Sequence, residues 1–98
     1  MSTADERQAA VSRIAELIAL LQTRPGPDIA AIVSECESLS RAVSAFHMEG
    51  IRFRIYNVDR LLAGHAAAVP AEARPLLEEV RKHLETAGFH TRSHQSPV

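Results

Sequence analysis

The chain is short of aromatic residues: it has no tryptophan, one tyrosine and three phenylalanines. An interior built without rings has to come from aliphatic side chains, and alanine and leucine, both helix formers, carry most of the apolar content. A single cysteine, Cys36, excludes an internal disulfide and fits a reducing compartment. Four glycines leave little material for elaborate active-site loops. The sequence has no phosphate-cradling glycine loop, no G-x-S-x-G elbow, no H-E-x-x-H and no paired-cysteine metal site. The Glu-x-x-His pair of a di-iron bundle is missing too. The reading is therefore of a protein that is not an enzyme, with no catalytic residue, metal or cofactor. A net charge of −1 gives no overall electrostatic attraction to DNA, RNA or an anionic membrane. No apolar run approaches membrane length, and "MSTADERQAA" lacks the basic region and apolar run of a signal peptide. The expected location is the cytoplasm.

What is present is helical periodicity. With 98 residues, 46% hydrophobic and 23% charged, the chain reads as one folded domain whose core is small enough that a partner surface often completes it. In the first segment, Val11, Ile14, Leu17, Ile18 and Leu21 recur at helical spacing, and Thr3 with Glu6 has the form of a capping box. "RPGPD" stops that helix and offers Asp28 as a cap for the next. From there Ile29, Ile32, Cys36, Leu39 and Val43 step by three or four, and the stripe resumes through His47, Ile51, Ile55, Val58 and Leu62. It ends at Gly64, a plausible residue to close a helix. A last helix has Pro75 in its first turn, a seam of Leu77, Val80, Leu84 and Ala87, and Gly88 at its end.

The spacing predicts three helices, about 4–23, 29–63 and 75–87, in one domain spanning 1–88, followed by a polar tail at 89–98. The central helix would run about 54 Å at 1.5 Å per residue. The shorter helices would lie antiparallel along its two halves. The fold class is all-α: a small helical bundle with one long spine, completed by dimerisation.

Residues 51–57 admit a second conformation, because "IRFRI" alternates strictly and isoleucine, phenylalanine and tyrosine favour strands. Against that, the alternation fails at Tyr56-Asn57 while the three-four spacing continues to Leu62. A lone strand would also have no partner within the chain. The helix is preferred.

A helix here carries a second apolar stripe, Phe46, Phe53 and Tyr56, roughly opposite Ile55 and Leu62 on the helical wheel. One neighbouring helix cannot cover both faces. The stripe is therefore read as a subunit contact, with Phe46, Phe53 and Tyr56 as anchors and Gly50 as the point where two backbones approach. Arg52, Arg54 and Arg60 lie nearby with Glu49 and Asp59. They would form a rim of ion pairs or grip a carboxylate or phosphate of a partner. His47 reads as a core histidine on the seam and Cys36 as a small buried hydrophobe. His90 and His94 have the spacing of a metal-binding pair but lie in the polar tail, with no third ligand beside them.

The leading functional reading is a small cytoplasmic helical protein, homodimeric, that also binds another protein as an adaptor, regulator or structural accessory. The alternative is a dimeric DNA binder in which 51–57 is a strand. It is similar to the ribbon-helix-helix architecture only in having a strand pattern followed by two helical segments.

Overall fold

The computed structural model describes residues 3–89. Among these residues there are four helices and no strand: α1 (Thr3–Leu21), α2 (Pro27–Ser44), α3 (Met48–Gly64) and α4 (Ala73–Thr86). Residues 51–57 lie inside α3, so the strand required by the DNA-binding alternative is absent.

The long central helix is corrected to two. The chain breaks at Ala45, Phe46 and His47, where α2 closes in a Schellman arrangement. His47 N–H donates to the Ala42 carbonyl at 3.0 Å, and Phe46 N–H donates to the Val43 carbonyl at 3.2 Å. The residue between cap and exit in such a motif takes left-handed geometry, normally as glycine. Here it is Phe46, with φ 59°, a conformation that costs an L-residue about 1–2 kcal/mol. Offsetting this, the Arg7 guanidinium of α1 donates to the Ser44 carbonyl at 3.0 Å and lies 3.7 Å from the Phe46 ring centroid. It thereby satisfies a carbonyl that the helix end leaves without a partner. The Phe89 ring stands 6.2 Å from that of Phe46.

The larger reason for the break is burial. A straight helix over these residues would be about 54 Å long, whereas the longest dimension of the molecule is 36 Å. Folding α3 back lets the stripe Ile51, Ile55, Val58 and Leu62 join Ile29, Ile32, Cys36, Leu39 and Val43 in one core, all of them buried. Each large aliphatic so covered contributes about 1.5–3 kcal/mol, which outweighs one strained residue.

Polar pairs give the helix directions. Arg54 meets Glu35 and His65 meets Asp28, so α3 runs antiparallel to α2. His83 meets Glu6 and Arg13 meets Glu79, so α4 runs antiparallel to α1. The sequence spacing places the last helix along the second half of the spine. In the structure α4 packs chiefly on α1 and touches α3 lightly, the latter through Asp59 with Arg74 at 3.2 Å and Arg81 at 3.6 Å.

Helix ends differ from expectation in two places. Gly26, with φ 118°, caps α2, and Pro27 occupies the first helical position, where its missing N–H costs nothing. Asp28 therefore sits in the first turn instead of capping it. Gly64 is the last residue of α3 and His65 its cap. Gly88 does end α4 with φ 100°, and Phe89 N–H donates back to the Leu84 carbonyl at 2.9 Å. Phe89, which the sequence places at the head of a polar tail, is buried in the core. His90 and His94 lie outside the described residues. No described helix is long and apolar enough to cross a membrane.

Candidate interaction surface

α3 presents two faces because its sequence carries two seams. Ile51, Ile55, Val58 and Leu62 point inward and are fully buried. The opposite side holds Phe53, 56% exposed, and Tyr56, 51% exposed, with Met48 and the turn residue Phe46 also open to solvent. Every large hydrophobic side chain exposed among the described residues falls between 46 and 56.

The three anchors inferred from the sequence, and Gly50 as the point of close approach, separate into distinct environments. Phe46 is not on α3: it occupies the turn, and its ring meets Arg7 and Phe89 of the same chain. Gly50 lies in the first turn of α3, beneath the imidazole of His47. A Cβ added there would fall inside van der Waals distance of His47 Nδ1, so the bare backbone accommodates a ring of its own chain. His47 itself is an exposed cap residue with extended backbone; the core position assigned to it by spacing is corrected, because the turn removes it from the seam. Phe53 and Tyr56 remain on the open face.

Between the C-terminal half of α2 and the N-terminal half of α3 runs an open groove of about 430 Å³, lined by Arg41, Ala42, His47, Gly50, Phe53 and Arg54 among others. Its apolar wall is the exposed side of Phe53, and its charged groups come from both helices.

The three arginines have three different roles. Arg54 makes a two-pronged contact with Glu35, at 3.1 and 3.0 Å, and Asn57 adds a third hydrogen bond to the same carboxylate at 3.4 Å. A single guanidinium nitrogen, Nη1, makes both contacts, and through it Arg54 ties the α2–α3 hairpin together. Arg52 approaches Glu49 one turn earlier at 3.6 Å. Arg60 is exposed and makes no ion pair within the described residues.

Comparison with models of known families, with characterised proteins and with solved structures finds no match.

Chemistry elsewhere is sparse. Burial pushes the Cys36 thiol up to about 12, with Glu35 and Glu37 adding to the effect. Such a thiol carries almost no thiolate at neutral pH, the opposite of a nucleophile's environment. Among the described residues no group of three or more His, Cys, Asp or Glu side chains is placed to hold a metal ion.

One polar pair escapes sequence reasoning altogether. Glu6 is 6% exposed, and its Oε1 lies 2.8 Å from His83 Nδ1, across the interface of α1 and α4. The spacing pairs Glu6 with Thr3 and His83 with Glu79. Nothing local indicates that residues 77 positions apart would meet.

Proposed function

We propose that this chain is a homodimeric helical protein that acts by protein–protein contact, as an adaptor, regulatory or structural accessory in the cytoplasm, with the outer face of α3 as its contact surface. The observation that carries the reading is that, among the described residues, the exposed large apolar side chains are confined to residues 46–56. Scattered single hydrophobes on a surface need no explanation; Phe53 and Tyr56 instead stand one turn apart on the same face of α3, with Glu49 and Arg60 to either side. Phe53 and Tyr56 are of the residue types that anchor interfaces, and Arg52 and Arg60 stand beside them as polar rim. The buried, unreactive thiol of Cys36 is compatible with a reducing compartment. No catalytic step, metal or cofactor enters the proposal. The DNA-binding reading draws no support from a helical 51–57 segment or from an Arg54 already engaged by Glu35.

The test is sedimentation equilibrium of the protein and of its Phe53→Asp variant, with circular dichroism on both. Phe53 lies outside the core, so the variant keeps its helicity, and the account expects it to be monomeric where the parent is dimeric. A variant that remains folded and associates like its parent contradicts the assigned surface.

A further inference from the structure

We infer that α3 pairs with the α3 of a second copy of this chain, antiparallel, about a two-fold axis passing between Phe53 and Tyr56. The inference rests on the outer face of α3 being the contact surface, and it names the occupant and its register. The exposed positions on that face are Glu49, Phe53, Tyr56 and Arg60, spaced by four, three and four residues. This is the repeat that lets side chains of two helices interdigitate along a seam. The inner seam, Ile51, Ile55, Val58 and Leu62, has steps of four, three and four on the opposite side and is filled by its own chain.

The order of charges along the outer seam selects the direction. It runs acidic, aromatic, aromatic, basic. In a parallel pair Glu49 would face Glu49 and Arg60 would face Arg60, and like charges in register repel. In the antiparallel pair Phe53 of each protomer meets Tyr56 of the other, and Glu49 of each meets Arg60 of the other. Four rings then form the centre, with one ion pair at each end. This is the self-complementary pattern that an isologous contact requires, in which residue i meets j and j meets i. In the monomer the Glu49 side chain is 80% exposed, its carboxylate approached by Arg52 of the same helix at 3.6 Å, and Arg60 makes no ion pair among the described residues.

The size of the patch sets the strength. Two half-exposed aromatics supply roughly 200 Å² per protomer, against about 800 Å² per partner in a stable interface. Met48, Arg52 and the end pairs have to add the remainder. The dimer is accordingly weak and concentration-dependent, and the terminal ion pairs govern which partner is chosen.

The experiment uses two charge reversals, Glu49→Arg and Arg60→Glu, each on a solvent-exposed side chain. Either variant alone places like charges at both ends of the dimer, and its self-association should weaken about tenfold or more at low salt. Mixed in equal amounts, the two variants restore both end pairs. Native mass spectrometry should then show the heterodimer well above the half share expected for random assortment. The double variant Glu49→Arg/Arg60→Glu should recover parental association. If the single reversals leave association unchanged while Phe53→Asp abolishes it, the register is wrong and the contact surface stands. If mixing gives only random assortment, the end pairing is overturned. A parent that stays monomeric at every concentration overturns both the register and the surface.

Discussion

Replacing Phe46 in turn by alanine and by glycine separates the observed fold from the long helix that the sequence spacing suggests. Both substitutions remove the ring and, with it, the contacts to Arg7 and Phe89. Those losses cancel when the two variants are compared with each other. What remains is the backbone. At φ 59° an alanine keeps a left-handed strain of about 1–2 kcal/mol that glycine does not have. Glycine loses about 0.4–1 kcal/mol of that advantage through the greater freedom of its unfolded chain. Phe46→Gly should therefore be more stable than Phe46→Ala by about 0.5–1 kcal/mol. Inside a continuous helix the order reverses, with alanine ahead by about 1 kcal/mol. Urea denaturation followed by far-UV circular dichroism resolves a difference of that size. The thermal midpoints should separate in the same direction, by about 4–8 °C per kcal/mol in a domain of this length. An alanine variant more stable than the glycine variant would refute the break at residues 45–47.

Three further outcomes follow from the packing. Ile55→Ala, at a fully buried position, should cost about 2–5 kcal/mol, whereas Phe53→Ala, two residues away on the open face, should change monomer stability by less than about 1 kcal/mol; chemical denaturation of both variants checks the contrast. His83→Ala removes the partner of the buried Glu6 carboxylate and should destabilise the fold by about 1–3 kcal/mol, measured the same way. Cys36, with its thiol raised to about 12 from a usual 9.0, should alkylate only as fast as the protein opens. Because the folded state holds that proton more tightly than the unfolded state, the thiol's contribution to stability is intact below pH 9.0 and drains away as pH rises toward about 12. A Cys36→Ala variant should lack that part of the alkaline slope.

The periodicity of the sequence was enough to identify the helical segments, but not the break within the long one, and most of the residues that fill the core. Ile14, Leu17 and Leu21, the α2 stripe, the inner seam of α3, and Leu77, Val80 and Leu84 are all buried. The turn was not legible, for a specific reason. Steps of four from Val43 to Ile55 look the same whether the helix continues or folds back upon itself. The turn also lacks proline and glycine, the usual punctuation; its left-handed residue is a phenylalanine held by an arginine 39 positions earlier (Arg7). Burial of Phe89 did carry a local signal: a hydrophobe immediately after the closing glycine of a helix commonly packs back onto the last turn. The pairing of Glu6 with His83 carried none. On α3 the existence of a second, exposed seam was legible from the spacing, because the helix has two apolar sides and one neighbouring helix to cover them. The distinct surroundings of Phe46 and Gly50 depended on the turn and became visible only with it.

The most direct measurement uses Tyr56 itself. It is the single tyrosine in a chain without tryptophan, so near-ultraviolet-excited emission reports this one ring at the centre of the proposed contact. Iodide quenching across a dilution series should show Tyr56 shielded in concentrated solution and accessible in dilute solution, with a midpoint matching the dimer dissociation seen by sedimentation. Quenching that is the same at every concentration would contradict the assignment of the outer face of α3 as the surface where two copies meet.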